Sequence, residues 1–174
     1  MISVYCSYAW RISTWRVTGV KPVTCPPITF ETIDLDILKS PLVYLRLHGV
    51  DGAGEMYGDD GQGNYPIALT NAQIRQADFR GSIVYLEGCN GDEYAQVFLD
   101  AGAKTVIGDI DASYGKSWRI GPSSLIGQEW LRAMHSGLGA HDAMLKAMRQ
   151  KTIMRLPERL RFGMMIFGEE GAKL

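Results

Sequence analysis

The chain has 174 residues, 46% of them hydrophobic and 21% charged, which suits one ordinary domain (residues 1–174) with a sizeable core and leaves too little for two. A formal net charge of −1 gives no reason to expect nucleic acid or an anionic membrane as a partner, and no apolar run approaches the ~18 residues of a membrane span. Three irregularly spaced cysteines argue against a disulfide framework, and residues 1–6 lack a basic-then-apolar leader, so a cytoplasmic location is expected.

In chain order, residues 2–9 are rich in strand formers and give a first strand. A second is expected within residues 14–24, before Cys25-Pro26-Pro27 interrupts any regular element. Residues 42–47, introduced by Pro41, form a third, whose near-continuous apolar character suits a parallel sheet covered on both faces. Residues 49–65 then read as a long loop with six glycines and three aspartates, of the kind that is usually functional or mobile. Thr70-Asn71-Ala72-Gln73 has the form of a capping box opening a short helix. Residues 83–86 make a fourth strand ending at Glu87-Gly88-Cys89. A helix follows over 92–101, with Tyr94, Val97 and Phe98 on one face and Gly102 as its stop. A short fifth strand, 105–108, runs into Asp109-Ile110-Asp111. After Pro122, helices over 124–136 and on to about 150 are separated by Gly137 and Gly139, and residues 162–167 make a last strand. Strands alternating with helices indicate a three-layer α/β/α sandwich around a mostly parallel sheet of about six strands.

Two words carry the chemistry. Leu47-His48-Gly49 and Glu87-Gly88-Cys89-Asn90-Gly91 each stand directly behind a buried strand, 41 positions apart from His48 to Cys89. Open α/β sheets collect ligands at the carboxyl ends of their strands, and a thiol and an imidazole delivered there form a nucleophile–base pair. A cysteine after a buried strand is more often a small core residue. Here Gly88 and Gly91 permit a tight, strained turn, and Cys89 sits near a helix start whose N–H groups can bind an oxyanion. Gly49 lets the backbone come close to a substrate, with its N–H as a second donor. Cys6 and Cys25 lack such a setting and read as structural, and His135 and His141 as solvated. Asp109 and Asp111 follow the strand next to Cys89 and can line a pocket there, with Glu87 as a further carboxylate, although the bland reading is turn and cap aspartates. Gly52-Ala53-Gly54 with Gly58 is a relaxed dinucleotide fingerprint, but no helix opens after it, so a mobile active-site loop is preferred. The basic stretch from Lys146 to Arg161 lacks interleaved aromatics and reads as a solvated face. No metal-ligand spacing occurs, and no cofactor is called for.

These words resemble the caspase–gingipain–legumain–separase superfamily of cysteine peptidases, including bacterial CHAT domains. Glu87-Gly88-Cys89-Asn90-Gly91 is similar to the Gln-Ala-Cys-x-Gly of caspases, with a histidine some fifty residues upstream. Thr70–Ile74, Asp78-Phe79-Arg80-Gly81, Ala101–Gly108 and residues 162–168 look like the segments around the catalytic strands of CHAT and gingipain-like domains, so the likeness covers about residues 42–168. It implies a caspase-like catalytic domain with Cys89 as nucleophile, His48 as catalytic histidine, and Gly49 and Cys89 as oxyanion-hole N–H donors. Asp109 would line the pocket for the residue before the scissile bond, and no third catalytic group is evident. The expected activity is endopeptidase cleavage after Arg or Lys, with a peptide or protein substrate. The alternatives are a catalytically silent caspase-like domain that binds a peptide or partner and, from another class, a nucleotide-binding α/β domain using the Gly52–Gly63 loop. Oligomeric state is left open.

Overall fold

The computed structural model describes residues 1–110, 120–156 and 163–174. Strands are β1 (Ile2–Ser7), β2 (Val23–Cys25), β3 (Leu42–Arg46), β4 (His48–Gly49), β5 (Glu55–Tyr57), β6 (Ile67–Thr70), β7 (Ile83–Leu86), β8 (Thr105–Asp109) and β9 (Met164–Gly168). Helices are α1 (Arg11–Thr18), α2 (Asn71–Gln76), α3 (Gly91–Asp100), α4 (Pro122–His135), α5 (Ala140–Met148) and α6 (Lys151–Met154).

Six strands form the central sheet in the order β2-β1-β3-β7-β8-β9. The first five are parallel and β9 returns antiparallel to β8. Residues in β3, β7 and β8 alternate between two cores because successive side chains point to opposite faces. Val43, Leu45, Val84, Leu86 and Val106 pack with Ile74, Tyr94 and Phe98 of α2 and α3. Leu42, Tyr44, Ile83, Tyr85 and Ile107 pack with Ile126, Trp130 and Ala143 of α4 and α5. Both faces are thus covered, which explains the unbroken apolar character of these strands.

The capping box forms as expected: Gln73 N–H donates to Thr70 Oγ1 while Thr70 N–H donates to Gln73 Oε1, at 3.2 and 3.1 Å. Tyr94, Val97 and Phe98 are buried along α3, and Gly102 follows at φ +98°. Pro122 occupies the first turn of α4, where a missing N–H costs nothing. The last strand begins at Met164, and Phe162 lies outside the described residues.

The second strand expected within residues 14–24 is confined to the end of that window, where Val23–Cys25 pairs with β1, because 11–18 form α1. Ser13, Thr14 and Val17 are the buried residues of α1, and its polar inward face serves Arg46, a partner that local pattern does not reveal. The glycine-rich segment is not structureless. His48 pairs with Tyr57 and Met56 with Leu69, making an antiparallel sheet β4-β5-β6 over the carboxyl end of β3. The glycines flank β5 rather than dissolving it.

Candidate active site

Strands β3 and β7 are neighbours in register, Leu45 opposite Leu86, so their continuations, Leu47–Gly49 and Gly88–Cys89, leave the sheet side by side. The contact between them is main chain on main chain. A Cβ on Gly49 would lie 1.9 Å from the carbonyl oxygen of Cys89, and a Cβ on Gly88 would lie 2.3 Å from the carbonyl oxygen of Leu47. Gly49 therefore admits the backbone of Cys89, where the sequence suggested that it admits a substrate. Gly91 likewise lets the start of α3 meet β8, since its Cβ would come 3.0 Å from the amide nitrogen of Asp109. The strained residue is neither glycine flanking the cysteine. Asn90, at φ 54°, takes the left-handed conformation at the N-cap of α3, which asparagine tolerates better than other side chains.

The turn sets Cys89 apart from the other thiols. It is partly exposed just before α3, whereas Cys6 and Cys25 are buried. Burial pushes the Cys6 thiol up to about 12 and raises that of Cys25, so both stay protonated and inert at neutral pH.

His48 lies in an aromatic slot. Its ring centroid is 4.4 Å from that of Trp10 and 5.2 Å from that of Tyr65, the latter edge-on. Burial lowers its pKa from the ordinary 6.5, opposed by the nearby carboxylate of Asp59. Nε2 of His48 and Oδ2 of Asp59 are 3.4 Å apart, a long contact between side chains 29% and 16% exposed. The backbone of Asp59 is fixed more firmly. Its carbonyl accepts from Ala9 N–H at 2.9 Å, its N–H donates to the Cys25 carbonyl, and Oδ1 accepts from Gly61 N–H at 2.7 Å. The sequence did not single out Asp59 from Asp51 and Asp60. The signal that does so is the pairing of Tyr57 with His48, which carries residue 59 past the imidazole.

The first turn of α3 holds the histidine side of the site as well. Tyr94 donates to the Glu55 carbonyl at 2.7 Å, and Gly52 N–H donates to Glu93 Oε2 at 2.9 Å. The Gly52–Gly54 stretch thus docks on α3 and leads into β5. A dinucleotide turn needs a helix there instead.

Of the three carboxylates, the structure keeps Glu87 away from the cleft. Its side chain is 1% exposed and 2.9 Å from Nε of Arg46, and it accepts from Tyr44 Oη and Ser124 Oγ. Arg46 in turn donates to Ser13 Oγ at 2.7 Å and lies over the Trp10 ring. The glutamate two residues before the cysteine and the arginine two residues before the histidine lock the strands together. Gly127 lets α4 come down to them, since a Cβ there would lie 2.9 Å from Tyr44 Oη. Asp109 ends β8, 6% exposed, and adds to the burial that raises the pKa of the Tyr85 hydroxyl, as does Glu87. Asp111 lies outside the described residues.

No family model matches the chain, and no curated protein is similar to it. Solved structures are. The crystal structure of the Arg-specific cysteine proteinase gingipain R aligns with a TM-score of 0.61 and 14% identity, over 92% of this chain and 40% of its own. A structure described as a protease aligns at 0.51 and 12%, over 99% of this chain and 47% of its own. The likeness is one of fold: a caspase/gingipain-type α/β sandwich, spanning less than half the length of either neighbour.

Proposed function

We propose that this chain, built on the caspase/gingipain fold, is the catalytic domain of a cysteine endopeptidase, with Cys89 as nucleophile and His48 as its acid–base partner. The observation that supports the reading is the main-chain contact of Gly49 with Cys89 at the carboxyl edge of the sheet, between a segment bearing a partly exposed imidazole and one bearing a partly exposed thiol. Asp59 acts as an orienting third group in place of a bare dyad. An N–H on Nε2 directed at Asp59 leaves the Nδ1 lone pair to accept the thiol proton, and the lowered pKa keeps the ring neutral before it does.

The thiolate attacks the scissile carbonyl carbon, and the carbonyl π electrons move to its oxygen. That oxyanion is held by the N–H groups of Gly49 and Cys89, a kind of donor worth ~10²–10³ in rate each. Collapse expels the amine, which takes its proton from Nδ1 of His48. Water, deprotonated by the same nitrogen, then releases the acid and restores the thiol.

Peptide or protein substrates follow from this chemistry, and preference for Arg or Lys before the scissile bond follows from Asp109. Two things support it: Asp109 ends the strand beside the one that leads to Cys89, and the fold neighbour gingipain R is Arg-specific. A buried carboxylate pairs with a guanidinium or ammonium and repels an acidic side chain. Asp111 is the secondary candidate.

A fluorogenic peptide library varied only at the residue before the cleaved bond tests this reading. Arg and Lys substrates should dominate, and Asp109→Asn should lower their kcat/KM by ~10²-fold against little change for neutral ones, with Asp111→Asn doing less. Equal turnover of Asp or Leu substrates would remove the basic preference. Absence of any hydrolysis would favour the silent, peptide-binding alternative.

A further inference from the structure

Helix α1 buries two polar side chains beside Val17 and exposes two large apolar ones. Ser13 and Thr14 face the interior, where Arg46 needs acceptors, while Ile12 and Trp15 face outward, 44% and 56% exposed. Tyr8, 38% exposed in the 3-10 turn (Tyr8–Trp10) that leads into α1, lines the same groove as Ile12 and Trp15. Pro22 closes that groove on the far side, beside the edge strand β2, and leaves it open with a volume of about 510 Å³. That volume is within the usual range for a small-molecule site. Nothing in the packing of α1 requires outward-facing apolar side chains.

Two cations line the same groove. The Arg11 guanidinium stacks 3.7 Å from the Tyr8 ring centroid and donates one N–H to the Tyr8 carbonyl at 2.9 Å, and Lys21 stands at the exposed rim. Neither has a carboxylate partner among the described residues. An apolar trough with two unneutralised cations is complementary to an anion carrying an apolar body.

The groove shares its wall with the candidate active site. Tyr8 and Arg11 face the groove; the two residues between them hold the histidine machinery, Ala9 through its N–H to the Asp59 carbonyl and Trp10 through its ring against His48. We propose that the groove is an effector site for a small carboxylate with an aromatic or aliphatic body, whose occupancy orders residues 8–11 and tightens the His48–Asp59 contact. Binding is independent of the peptidase reading. The coupling rests on it.

The test uses the intact chain with phenylbutyrate as the probe and phenylbutanol as its uncharged counterpart. Saturable shifts of the Trp15 indole resonance, assigned by its loss in Trp15→Phe, should report binding, about tenfold tighter for the carboxylate. Exchanging both cations, Arg11→Gln with Lys21→Gln, should remove that tenfold preference and leave the alcohol unaffected. At saturation, phenylbutyrate should speed alkylation of Cys89 by iodoacetamide about fivefold, and Trp10→Ala should abolish the response while phenylbutyrate still binds. No saturable binding, equal affinity for the alcohol, or an alkylation rate at saturation that is unchanged or lower would each overturn the proposal. Alkylation without ligand, compared between the parent chain and His48→Ala, reports separately on the peptidase reading.

Discussion

Two layers stand at the carboxyl ends of β3 and β7, Arg46 with Glu87 and, two residues further along each segment, His48 and Cys89, and they are built in opposite ways. In the lower layer Arg46 and Glu87 are each 1% exposed, 2.9 Å apart, and bound from several sides by Tyr44, Ser124, Ser13 and Thr14. In the upper layer His48 is 29% exposed, its carboxylate partner is 3.4 Å away, and Cys89 stands partly in solvent behind a left-handed Asn90. A buried ion pair is tolerated only when its hydrogen-bonding capacity is largely met, and it then fixes register more than it adds stability. The roles proposed for Cys89 and His48 call for the reverse: access, and room for a proton to move. The lower layer supplies the rigidity that allows the upper one to be loose.

The comparison breaks most readily at Glu87. Glu87→Ala removes the carboxylate that pairs with the buried Arg46 and should cost ~3–5 kcal/mol in denaturant unfolding. Cys89→Ala and His48→Ala should each stay within ~1 kcal/mol of the parent chain. Equal losses at all three positions would mean that the two layers do not differ as described.

A smaller effect lies within the upper layer. Because burial lowers the folded-state pKa of His48 below 6.5, the unfolded chain takes up this proton first. The contribution of the neutral ring to stability is therefore complete above the ordinary value and is lost as pH falls from there toward the folded value. Asp59 opposes the shift, so Asp59→Asn should lower the His48 titration midpoint further, as followed by NMR of the imidazole and assigned with His48→Ala. An unmoved midpoint would detach Asp59 from the site.

The smallest effect concerns the covering sheet. Amide exchange should split residues 49–70, with protection along Glu55–Tyr57 and Ile67–Thr70 and fast exchange near Gly61 and Gly63, where the hydrogen bonds are solvent-exposed. Uniformly fast exchange would restore the simple mobile loop that composition suggested.

The parallel sheet and the placement of His48 and Cys89 were legible because each depends on local signals: apolar runs that end abruptly in a chemistry-bearing residue and a glycine. What escaped depends on contacts between distant segments. Glu87 reads as one more pocket acid until Arg46, 41 positions earlier, is seen beside it. The strand β5 is hidden by the glycines around it, because its stability comes from pairing with His48–Gly49 and β6 rather than from propensity. Asp59 depends on that same pairing. At Cys89 the local pattern points to the flanking glycines for the strained turn, whereas these serve close approach and the positive φ belongs to Asn90.

On the proposed reading, the upper layer activates one thiol of three. That activation is tested most directly by treating the intact chain with an irreversible peptidyl electrophile and locating the adduct by mass spectrometry. Stoichiometric modification of Cys89 is expected, absent in Cys89→Ala and slowed by ~10²–10⁴-fold in His48→Ala. An adduct on Cys6 or Cys25 with Cys89 left free, or a rate indifferent to His48, would contradict it.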